Sequence, residues 1–110
     1  IRIEFLTWAD EAVVGHGTGM CENDGLNNGI WQAIAFDSTT NGEEQTVAVA
    51  LVASQSINFT ILALRTLSEG FHFATLLGAV DAGTGRWFGN ASGGGSSRNA
   101  RTQLQILIRG

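Results

Sequence analysis

Apolar side chains along this chain recur at every second position and almost nowhere at every third or fourth, which is the repeat of a strand whose successive side chains point to opposite faces. The last segment shows it most clearly. Thr102, Leu104, Ile106 and Ile108 share one face while Arg101, Gln103, Gln105 and Arg109 share the other, as in a sheet with one wet side. Segment 46–53 alternates Val47, Val49 and Leu51 with the small Ala48 and Ala50, a pattern that suits close approach inside a small closed barrel. On the same basis strands are expected near 1–8, 13–22, 29–36, 45–53, 57–66, 70–80, 86–92 and 101–109. The breaks carry turn chemistry: Asn23-Asp24-Gly25, Asn27-Asn28-Gly29, Asn41-Gly42 and Ser68-Glu69-Gly70. Residues 89–99, rich in Gly and Ser, read as a flexible surface loop.

The chain contains no proline, so it lacks one common protector of sheet edges, and closing the sheet is the economical way to hide unpaired backbone groups. The expectation is an all-β fold: a single small closed antiparallel β-barrel of about eight strands. It should form one domain over residues 1–110.

Composition narrows the partners. An apolar fraction of 44% argues against disorder. No apolar run approaches the roughly 20 residues that cross a bilayer, so no membrane partner is expected. The net charge is −4 and there is no Lys, so a groove that neutralises phosphates would have to be built from Arg alone; nucleic acid is not expected. The single cysteine, Cys21, has no internal disulfide partner and leaves the compartment undetermined. The first residue is Ile1 rather than Met, as in a trimmed or processed chain. Asn58-Phe59-Thr60 and Asn90-Ala91-Ser92 match the glycosylation triplet, which matters only in a secretory pathway.

Familiar reaction motifs are missing. Gly15-His16-Gly17-Thr18-Gly19 lacks the Lys-Ser/Thr ending of a phosphate cradle and no helical pattern follows it. No Gly-x-Ser-x-Gly elbow occurs. His16, His72 and Cys21 are widely separated and lack ligand spacing, so no metal is expected. What remains are polar and aromatic residues set in apolar strands. Glu4 shares a face with Arg2, Leu6 and Trp8, and is either solvated or a carboxylate on a cavity wall. Arg65 ends an apolar strand, as a rim residue or a cavity group, and His72, between Phe71 and Phe73, reads as an outward-facing polar position. Cys21 reads as a small buried hydrophobe. Trp8, Trp31 and Trp87 either fill a barrel or line a pocket for a flat apolar ligand.

The stretch GAVDAGTGRWFGNASG at 78–93 resembles the glycine-rich turn and following strand of the allene oxide cyclase and dirigent barrel superfamily, with Gly83, Thr84, Gly85, Trp87, Ala91 and Gly93 in the matching places. AVVGHGTGMCEN at 12–23 resembles a second strand of that family, through Gly15, Gly19 and Cys21, and IRIEFLTW is placed like its first strand, which brings in Glu4. Ala82 stands where the family has a first glycine, and one extra residue separates Gly85 from Ala91. The resemblance implies a barrel, often trimeric, whose hydrophobic cavity holds a reactive small molecule and directs its ring closure or coupling without a metal or organic cofactor. Glu4 would stabilise developing positive charge and Arg65 would polarise an oxygen. Trp8, Cys21, Trp31 and Trp87 would line the substrate site. The expected function is thus a cyclase, isomerase or stereo-directing protein acting on an apolar metabolite, as a homo-oligomeric trimer or dimer. The alternatives are a barrel that binds a hydrophobic ligand without turnover, or an assembly subunit whose apolar external faces need a partner.

Overall fold

The alternating segments form antiparallel strands. The computed structural model describes residues 1–88 and 102–109, with the backbone alone at residues 44 and 45. Among these the strands are β1 (Arg2–Thr7), β2 (Glu11–Asn23), β3 (Gly29–Phe36), β4 (Glu44–Val49), β5 (Ile57–Leu67), β6 (Gly70–Val80), β7 (Gly85–Trp87) and β8 (Gln103–Arg109). No helix occurs among the described residues, and none is therefore long and apolar enough to cross a membrane. The strand expected at 45–53 stops at Val49, because Ala50 leaves the ladder to exchange backbone hydrogen bonds with Asn27 and Asn28. The glycine- and serine-rich 89–99 stretch, the end of the 86–92 strand, Asn90, Ala91, Gly93 and Arg101 lie outside the described residues.

The strands make two four-stranded antiparallel sheets. Sheet A has the order β1-β6-β3-β4. Sheet B is organised on β2, which pairs along one side with β5 and along the other with β8 and then β7, set end to end. The expected closed barrel is not what these strands form: no sheet closes on itself among the described residues. The two sheets pack face to face instead. Their edges do approach, β4 lying against β5 and β1 against β8, but no hydrogen-bonded ladder joins either seam.

The reason for flattening lies in β2. Its inward positions include Gly15, Gly17 and Gly19, and a Cβ on Gly15 would come within 3.0 Å of Ile34 while one on Gly17 would come within 3.1 Å of Leu76, both from sheet A. Bare backbone lets the opposite sheet press into the middle of β2, where a barrel would keep its walls apart. The contact is filled by Val13 and Cys21 of β2, Ile30, Ile34 and Phe36 of β3, Phe59, Ile61, Ala63 and Leu67 of β5, Ala74 of β6 and Leu104 of β8. Each large member, once buried, contributes about 1.5–3 kcal/mol.

Facing differs from expectation at one strand. On β6, His72 is buried and points inward, while Phe71 is exposed on the outer face. The pairing with β1 sets this, since His72 lies opposite Phe5, whose ring is 6.0 Å away, and Phe71 lies opposite the exposed Leu6.

Candidate functional site

The residues singled out in the sequence do not meet. Glu4 lies on the exposed face of β1 and pairs with Arg2 at 3.0 Å, and the Arg2 guanidinium sits 3.9 Å over the Phe73 ring. Arg65 belongs to the other sheet, where it donates to Glu43 at 2.7 Å and so bridges the open β4/β5 seam. Trp8, in the connection after β1, is 78% exposed, and Trp31 is exposed on the outer face of sheet A. Cys21 and Trp87 are the two that come inside, as opposite partners on β2 and β7.

Two polar groupings interrupt the apolar interior. At the end carrying the β5–β6 turn, His72 Nδ1 lies 2.7 Å from Asp37 Oδ2 and His72 Nε2 lies 2.7 Å from the Ser68 carbonyl. Asp37 sits at φ 54°, a conformation that Asp tolerates, and its other oxygen accepts the Phe73 amide. The Ser68 carbonyl and then the Asp37 carboxylate hold a proton on His72 and raise its pKa; burial and Arg65 oppose them. With both ring nitrogens engaged by acceptors, the imidazolium ties the exit of β3 to the β5–β6 turn. A general base needs a free nitrogen, and His72 offers none in this arrangement.

At the opposite end Gln32 Nε2 donates to Cys21 Sγ at 3.2 Å. Burial pushes the Cys21 thiol pKa up, against a smaller pull from that hydrogen bond, so the group stays a thiol and is a poor nucleophile. Gln32 Oε1 and Trp87 Nε1 are buried without a partner. Trp87 rests on Gly78, where a Cβ would fall 2.5 Å from the indole. Beyond it the Asn23 side chain ties down the loops, donating to the Gly29 and Ala82 carbonyls and accepting from the Gly25 amide and Asn28. Among the described residues no cluster of His, Cys, Asp and Glu could hold a metal ion.

The residues that sequence reasoning missed lie outside the core. On the outer face of sheet B, Val14 is opposite Leu64 of β5 on one side and Leu107 of β8 on the other, and His16 is opposite Leu62. Leu62, Leu64 and Leu107 are 60%, 68% and 66% exposed. A shallow cleft of about 590 Å³ lies at Leu64 and Leu107, lined also by Ala12, Val14, Ile108 and Arg109. The available signal was the run Ile61-Leu62-Ala63-Leu64, which is apolar at both parities and therefore cannot bury all of its side chains in one layer. No protein-family model, no curated protein and no solved structure matches this chain. Gly83, at the bend before β7, adopts φ 74°, whereas Gly85 does not have a positive φ.

Proposed function

We propose that this chain is an assembly module whose outer face on sheet B seats a second copy of the same chain. The observation that carries this reading is the leucine row itself: three exposed leucines around Val14, in register across three strands, on a face whose centre bears no charged side chain. The flanking outward positions are Thr60, Thr66, Thr18, Gln103, Gln105 and Arg109, a polar rim around the leucines, with His16 between Leu62 and Gln105. Two molecules of net charge −4 repel each other over most approaches, and a face without carboxylates among its paired outward positions, with Arg109 at its rim, is where that repulsion is least. The paired region measures about 24 Å along the strands by about 14 Å across them. That is enough for the centre of an interface of roughly 800 Å² per partner once the rim is included.

A cyclase, isomerase or carrier that works in an internal hollow has less support. The sheets touch at the β2 glycines, and Glu4 and Arg65 are committed to Arg2 and Glu43 on different sheets. The assembly reading is tested by sedimentation velocity across the micromolar range. A reversible dimer is expected, with Leu64→Glu converting it to a monomer of unchanged circular dichroism, because a two-fold interface meets each substitution twice. A wild-type monomer throughout, a trimer, or a Leu64→Glu dimer would each overturn it.

A further inference from the structure

We propose that the cleft over the outer face of sheet A binds a neutral saccharide ring, with the Trp31 indole as its platform. The cleft arises from a size step between paired strands. Trp31 of β3 lies opposite Ala79 of β6, and Ala33 lies opposite Leu77, so a large flat side chain stands beside small ones and leaves a hollow next to it. The indole leans over Gly29, where a Cβ would lie 3.3 Å from its Nε1. The hollow has a volume of about 500 Å³, within the range of small-molecule sites.

Its far wall is the β3–β4 connection, which brings Thr39, Thr40 and Gly42 to the rim. That wall is fixed at both ends before any ligand arrives. The Asp37 amide donates to the Phe73 carbonyl, Thr75 Oγ1 donates to the Ser38 carbonyl at 2.7 Å, the Ser38 hydroxyl accepts the amides of Thr40 and Asn41, and the Glu43 amide donates to the Ile34 carbonyl. A pre-formed wall avoids the ordering cost that a loose loop would add on binding.

The lining chooses the ligand by three features. Among the described residues no ionisable side chain lines the cleft, so a charged ligand would lose its hydration without a counter-charge. An exposed indole presents a π face whose negative quadrupole attracts the slightly positive C–H face of a sugar ring, and it removes apolar area from water. The Thr39 and Thr40 hydroxyls at the rim serve as donor or acceptor to ring hydroxyls. A flat aromatic ligand would satisfy the indole but leave those hydroxyls without partners.

The test is a titration of the isotope-labelled full chain, following the Trp31 indole N–H and the amides of 39–42 by NMR. The probes are maltose, cellobiose and lactose, with glucuronate as the charged comparison and 2-naphthol as the flat aromatic. Saturable shifts confined to those signals are expected with at least one neutral disaccharide. Trp31→Ala should weaken binding about tenfold or more, Trp31→Phe should retain part of it, and Trp8→Ala should leave it unchanged. Absence of saturation with every neutral disaccharide, saturation by 2-naphthol or glucuronate in their place, or unaltered binding by Trp31→Ala would overturn the proposal. The site lies on the opposite sheet from the leucine row, so Leu64→Glu should still bind the sugar and the two proposals fail separately.

Discussion

The two polar groupings inside the sandwich are built from similar materials and end differently. Around His72 every polar atom named has a partner: Asp37 and the Ser68 carbonyl take the imidazole, and the Phe73 amide takes the second Asp37 oxygen. Around Gln32 two polar atoms have none. The difference follows from position along the strands. His72 lies beside a turn and a strand exit, where backbone carbonyls are released from the ladders and can accept. Gln32 lies between Thr46 and Gly78 in the middle of sheet A, where the neighbouring backbone is consumed by β-pairing and side chains have only one another. One end of the interior is therefore held by hydrogen bonds and charge, and the other by shape.

The largest effect should come from breaking the shape-held end. Gly78→Val places branched carbon where the Trp87 indole already lies, and that ring is confined on its other side by Gly85, itself 2.5 Å in Cβ distance from Val80. Overpacking of this kind costs about 3 kcal/mol, equivalent to a fall in melting temperature of about 12 °C or more. The matching change at the other end, Gly70→Ala, meets no atom within 4 Å and is opposed by its φ of 137° alone, at about 1 kcal/mol. Thermal melts of the two variants compare directly. A Gly78→Val protein that melts with the wild type would mean that Trp87 does not seat there.

The hydrogen-bonded end is distinguished by pH. A group whose pKa is raised on folding, like His72, contributes stability that is fully present below its unfolded value of 6.5 and is lost as pH rises through the higher folded value. Urea unfolding on the two sides of that window should show the midpoint falling as the solution becomes more basic. Asp37→Asn keeps the shape while removing the charge, so it should cost about 1–2 kcal/mol on the acidic side and flatten the profile. An unchanged slope in that variant would remove the Asp37–His72 pair from the pH dependence.

Much of the fold was legible because strands announce themselves locally. Most expected segments overlap strands seen, apart from 45–53, which ends at Val49, and the part of 86–92 that lies outside the described residues, and β8 reads off its alternation residue by residue, Leu104, Ile106 and Ile108 inward and Gln103, Gln105 and Arg109 outward. Closure was not legible. It depends on whether β4 pairs with β5, a contact between distant parts of the chain, and the glycines that decide it read in the sequence as a motif rather than as the place where two sheets touch. The facing of His72 failed for a related reason: Phe71 and Phe73 are the more apolar pair and look like the buried parity, but register with β1 puts Phe5 opposite His72 inside. Of the expected site, Cys21 reads as a small buried residue and is buried, but the one reading given to Trp8, Trp31 and Trp87 does not separate Trp87, which packs inside, from Trp8 and Trp31, which are exposed; the leucine row is marked only by its apolar run at both parities, and Asp37 and Gln32 have no local signature.

The smallest effect is the one that separates the two ends most sharply. Gln32→Met keeps a long unbranched side chain of similar volume, removes the unpartnered Oε1 and leaves Cys21 beside a thioether instead of an amide donor. A buried amide that makes one weak hydrogen bond to sulfur recovers little of its desolvation cost, so replacing it with apolar atoms should be neutral or stabilising by up to about 1 kcal/mol. The equivalent swap at the other end, His72→Met, strips partners from Asp37 and the Ser68 carbonyl and should destabilise, since the groups left behind are then the unpaired ones. Opposite signs in parallel denaturant titrations are expected. If Gln32→Met destabilises as much as His72→Met, the amide at position 32 is better satisfied than its geometry indicates, and the contrast between a bonded end and a packed end collapses.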